Sequence, residues 1–118
     1  MQAQQLRLSP DSATSLLIRL SLPFADGSNG LHGAELEAAL EACHAEAQRI
    51  DCNLLEISGE AEHLHVLAEI PPNQSVGGIA YALQKAVDLK LRKQFPMHPL
   101  GKQLWGAYTA ISLAGETP

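Results

Sequence analysis

Glu62-His63-Leu64-His65-Val66-Leu67-Ala68-Glu69-Ile70 alternates at every second residue. A period of two is the mark of a strand with one buried face. Leu64, Val66, Ala68 and Ile70 share one face; His63, His65, Leu67 and Glu69 share the other. Pro71-Pro72 ends the run, because proline has no N–H to give to a ladder. A second alternating run, Ser15 to Leu22, places Leu16, Ile18, Leu20 and Leu22 on one side, and Pro23 closes it.

The spacing changes between these strands. From Gly33 to Ile50, Leu36, Leu40, Cys43, Ala47 and Ile50 recur at steps of three and four, which predicts an Ala- and Glu-rich helix. Asn53–Ile57 reads as a short strand and Ser58–Ala61 as a turn. Ser75 is placed to cap a second helix, from Val76 to about Phe95, with Val76, Ile79, Leu83, Ala86 and Leu89 or Lys90 on its buried stripe. Ala107–Leu113 is the last predicted strand. The order β-α-β-β-α-β predicts an α+β, ferredoxin-like antiparallel sheet with two helices on one face. One domain is expected over residues 15–113, with tails at 1–14 and 114–118.

Composition bounds the function. The chain of 118 residues is the size of one domain, and 46% hydrophobic content excludes wholesale disorder. Aromatics at 4% argue against a nucleic-acid binder built on several stacking platforms. Cys43 and Cys52 fit no zinc spacing and read as reduced thiols of a cytoplasmic protein. The polar start, Met1-Gln2-Ala3-Gln4-Gln5, has no apolar signal core, and no apolar run is long enough to span a membrane. Residues 1–69 carry three basic and eleven acidic groups (−8); residues 70–118 carry five and two (+3). The acidic total counts against strong DNA binding. Lys85, Lys90, Arg92 and Lys93, with Lys102, are either a local phosphate-contacting patch or a solvated helix face.

His63 and His65 are the candidate chemistry. On one strand face their imidazoles stand side by side and make half a metal site, although H-x-H on a strand is also compatible with two solvated side chains.

The run Glu62–Pro72, followed by Ser75-Val76 and a long helix ending at Phe95-Pro96, resembles the HUH segment of single-tyrosine transposases, including the REP-associated tyrosine transposases. In that family a strand reading roughly Asp-His-Val-His-Leu-Leu-Val leads into a Pro-Pro-x-x-Ser turn and a helix. Leu104-Trp105-Gly106-Ala107-Tyr108 is similar to the Leu-Trp step and Tyr-bearing strand that follow. The resemblance covers residues 34–113. It implies a homodimer in which His63 and His65 bind Mg²⁺ or Mn²⁺, and single-stranded hairpin DNA cut and rejoined through a phosphotyrosine in DNA transposition. The family's nucleophile, on a helix expected from about Ala114, has no counterpart: Tyr81 falls in the second helix and Tyr108 in the last strand. The resemblance therefore implies a catalytically deficient transposase; a non-catalytic module binding nucleic acid or protein on the same fold is the alternative. Glu62 stands beside His63 where the family often has Asp, but parity turns it to the opposite face.

Overall fold

A computed structural model describes residues 16–26, 28–98 and 100–113. The expected tails at 1–14 and 114–118 lie outside them. The elements run β1 (Leu16–Pro23), α1 (Ala34–Arg49), β2 (Asn53–Gly59), β3 (His63–Ile70), α2 (Val76–Gln94), a 3₁₀ turn (Gly101–Gln103) and β4 (Thr109–Ser112). The sheet order is β2-β3-β1-β4, every neighbour antiparallel. Each helix thus bridges two parallel strands that have a third between them, the ferredoxin-like arrangement expected from the element order.

The two alternating runs pair along their whole length, from Leu16 opposite Ile70 to Pro23 opposite His63. Ile18, Leu20 and Leu22 of β1 and Leu64, Val66, Ala68 and Ile70 of β3 are buried together in one core. That face carries both helices. β2 joins it with an irregularity: Leu54 opposes Ala68 but Glu56 opposes Leu67, so Leu55 is bulged out. The bulge is why Leu54 and Ile57, three residues apart, both pack on the core.

The helices were placed correctly by their periodicity, but their buried stripes differ from expectation. α1 buries Ala38, Ala39, Ala42, Cys43 and Ala47, while Leu36 and Leu40 are only partly buried at its flank. Alanines at the contact let the backbone of α1 come close to its neighbours, and the two leucines reach over β2. There Gly59 makes room: a Cβ at this position would stand 2.8 Å from Leu36 Cδ1 and 2.8 Å from Leu64 Cδ2. α2 buries Ile79, Ala80, Leu83, Val87 and Leu91, whereas Leu89 is 52% exposed and Lys90 is half-buried. The stripe follows i, i+4, i+8 from Ile79 and leaves Leu89 on the outer side. Ser75 caps α2 as expected, its Oγ accepting the Gly78 N–H at 2.9 Å.

Two connections differ from the sequence reading. β2 runs on to Gly59, and β4 begins only at Thr109. Before β4, the chain zips onto the end of β1: the Ala25 N–H donates to Leu104 O at 2.6 Å, the Gly106 N–H donates to Pro23 O at 2.9 Å, and the Phe24 and Trp105 rings meet at 5.2 Å.

Two measurements test this packing. Gly59→Ala is expected to lower stability by about 1–3 kcal/mol, because leucine side chains must leave their positions; a urea titration reads it. Burial pushes the Cys43 thiol up to about 12 and, aided by the Glu69 charge, the Cys52 thiol up to about 11, from 9.0. Both pKa values are raised in the folded chain, so their contribution to stability is complete below 9 and is lost as pH rises toward the folded values. The urea midpoint is expected to fall above pH 9, and to fall less steeply in Cys43→Ala.

Candidate metal centre

The face of the sheet opposite the helices is set by the same alternation. Along β3 it carries His63, His65, Leu67 and Glu69, and the register adds its neighbours: Ser58 of β2, Ser21 of β1 and Thr109 of β4 fall in one cross-strand row with His65. Pro23 stands opposite His63. A row of small polar side chains thus flanks the second histidine, and proline, with no donor, flanks the first.

The two imidazoles converge. Nε2 of His63 and Nε2 of His65 are in direct contact, and the rings meet edge to face with centroids 4.0 Å apart. Both side chains are half-buried. Glu60 completes the cluster: one carboxylate oxygen and one nitrogen from each imidazole all lie within 4.8 Å of one another. Its placement follows from the β2–β3 turn. The Glu60 N–H donates to His63 O at 2.9 Å, which closes the hairpin and brings Glu60 back beside the first histidine.

The turn is held from outside as well. Phe24 N–H donates to Glu62 O at 2.9 Å and Leu31 N–H to Ala61 O at 3.3 Å. Gly30 crosses over the Ala61 carbonyl at φ 62°, where a side chain has no room. The loop after β1 therefore clamps the hairpin that carries the three residues. Two imidazole nitrogens and one carboxylate oxygen, opening to solvent on one side, form a donor set that suits a divalent first-row metal better than Ca²⁺.

Glu60 is the member that sequence reasoning missed. The resemblance directs attention to Glu62, which parity turns away from the histidines, and Glu62 is exposed and outside the cluster. Strand alternation stops at Glu62, and only the hairpin's hydrogen bond places Glu60. An acidic residue three positions before a strand-borne His, across a tight turn, is the signal that was available.

The basic candidates lie elsewhere. Lys85, Lys90, Arg92 and Lys93 all sit on α2, on the far side of the sheet from His63 and His65. They line two grooves. Lys90 is 3.6 Å from Glu41 of α1. Lys90, Arg92 and Lys93 line the groove between the helices, beside Arg49 and Glu46. The hydrogen-bonded Arg49 guanidinium holds the Glu46 carboxyl below its ordinary value. Lys85 faces a different groove, with Tyr81 and Tyr108. Both tyrosines are on the helix side: Tyr81 is in α2, and Tyr108 directs its hydroxyl at Gly77 of α2. The only group of three or more metal-ligating side chains among the described residues is Glu60, His63 and His65.

The backbone is similar to that of a crystallised protein from Deinococcus radiodurans R1 assigned as a transposase. The TM-score is 0.75, over 90% of this chain and 85% of that chain, at 14% identity. At that identity the likeness speaks for the fold. No curated protein matches the chain. The sequence model of the family described as IS200-like transposase matches residues 28–117, which include both strands of the hairpin, both helices and the three clustered side chains. The chain belongs to the IS200-like transposase family.

Proposed function

We propose that this chain is a DNA-transposition protein that holds a divalent cation, Mg²⁺ or Mn²⁺, on His63, His65 and Glu60, and presents single-stranded DNA to it. The observation that carries the reading is the convergence of two imidazole nitrogens and a carboxylate on the open face of the sheet, in a member of a transposase family. The cation would act as a Lewis acid on a phosphoryl oxygen. The protein's own part is to fix the two histidines on a strand and Glu60 on the clamped turn before it, with the polar row of Ser58, Ser21 and Thr109 beside them. Family membership implies a DNA partner. None of the described helices is long and apolar enough to cross a membrane.

The attacking group is a separate matter. Tyr81 and Tyr108 are the chain's two tyrosines, and both lie on the helix side of the sheet. We infer that neither is the nucleophile, so that these residues by themselves bind metal and DNA without forming a phosphotyrosine. This placement also favours the second reading, a non-catalytic nucleic-acid-binding module on the transposase fold.

The test joins a metal titration to a nicking assay. Mn²⁺ binding followed by paramagnetic resonance is expected to give one site per chain. His63→Ala/His65→Ala is expected to abolish it, and Glu60→Ala to weaken it at least about tenfold, since even outer-sphere losses reach that size. No Mn²⁺ binding by the native chain overturns the metal reading. Labelled single-stranded hairpin DNA with Mn²⁺ is expected to give no covalent protein–DNA adduct. An adduct that survives denaturation and disappears in the double histidine variant overturns the deficiency.

A further inference from the structure

One face of α2 is used neither by the core nor by the histidine cluster. Gly77, Tyr81, Gln84, Lys85 and Asp88 recur at helical spacing and form a single stripe. Opposite them runs the segment from Gly101 to Tyr108, and the two enclose an open groove of about 250 Å³.

Its chemistry is specific. Tyr81 is 64% exposed and Tyr108 41% exposed, the only exposed large aromatics among the described residues. Gly77 lets Tyr108 lie against the helix: a Cβ there would stand 3.2 Å from the Tyr108 hydroxyl. The groove's one carboxylate is already engaged. Asp88 Oδ1 accepts the Trp105 indole N–H at 3.0 Å, and Oδ2 accepts the Gly101 N–H at 3.3 Å. Lys85 and Lys102, both exposed on the rim, are in no ion pair among the described residues. Two aromatic faces between two free cations, with the local anion tied down, match a nucleobase flanked by phosphates. The two rim cations, with no carboxylate of the groove left open to pair with them, favour an anionic strand over a peptide.

The groove also lies on a route to the histidines. Tyr108 directly precedes Thr109, the first residue of the edge strand β4. Thr109 faces the other side of the sheet and stands in one row with Ser21 and His65. Two strand spacings, about 10 Å, separate that end of β4 from β3. A DNA strand leaving the groove over the end of β4 therefore arrives on the face that carries His63 and His65.

We propose that the groove between Tyr81, Lys85, Lys102 and Tyr108 binds one or two nucleotides of single-stranded DNA and leads the strand to the histidine face. The proposal rests on the single-strand reading above, but not on its metal. Tyr81 and Tyr108 stack on bases; Lys85 and Lys102 contact phosphates. The strand is gripped on the helix side and presented on the other.

The test measures fluorescence anisotropy of a labelled oligodeoxythymidylate with the full chain, in EDTA, so that metal plays no part. Tyr81→Ala is expected to weaken binding about tenfold, and Tyr81→Phe to retain it, because stacking needs the ring and not the hydroxyl. Lys85→Ala/Lys102→Ala is expected to lower the slope of log affinity against log salt by about 1.4, at about 0.7 per phosphate released. Thermal melts check that these surface variants stay folded. Binding that is indifferent to Tyr81→Ala and to Lys85→Ala/Lys102→Ala, or no binding by the native chain, overturns the assignment. So does a change of oligomeric state in Tyr81→Ala, which would make the surface a contact between copies. Loss of Mn²⁺ binding with intact, groove-dependent DNA binding would refute the metal reading alone.

Discussion

The pairing of β1 with β3 is the constraint on which everything else depends. Eight residues of each strand stand opposite one another without a break. Because side chains alternate, a slip of one residue would move Leu64, Val66, Ala68 and Ile70 to the face away from the helices and drive His63 and His65 into the core. Burying two imidazoles beside leucines costs several times what a misplaced methylene costs. The register is therefore fixed by the hydrophobic demand of one face, and the position of the histidines on the other follows without further specification. Core and candidate metal centre are two sides of the same alternation.

The helices serve this arrangement by coming close. α1 presents alanines and Cys43 to the interior, and its leucines fold over Gly59 at the end of β2. That glycine ends the strand that leads into the Glu60 turn, so close packing on one face of the sheet and the approach of Glu60 on the other meet in adjacent residues. The loop after β1 clamps the same hairpin through Ala61 and Glu62. Side chains that must converge on one point need such support, since misplacement by an ångström is enough to lose a ligand.

The element order, both helices and the face of the sheet carrying His63 and His65 were legible in the sequence, because period and proline positions are local signals. The Ser75 cap was legible for the same reason. Three things were not. The bulge at Leu55 leaves no mark in a short apolar run such as Leu54-Leu55, where either residue could face inward. Alanines rather than leucines at the heart of α1 reflect how near the two layers lie, a distance that no periodicity encodes. Glu60 joins the histidines by way of a turn, where alternation has ended and only a tertiary backbone bond decides. The basic residues of α2 cluster in sequence; in the fold they line two grooves, and Lys90 stands beside Glu41.

The clasp between Trp105 and Asp88 has a consequence of a different kind. Trp105 is the chain's single tryptophan, and its indole N–H is held by a carboxylate on α2 while its ring lies against Phe24 at the end of β1. One chromophore thus touches the second helix, the first strand and the segment that opens the last strand. Its emission is a built-in optical gauge of whether these three pieces of chain are seated together, needing no label and no substitution.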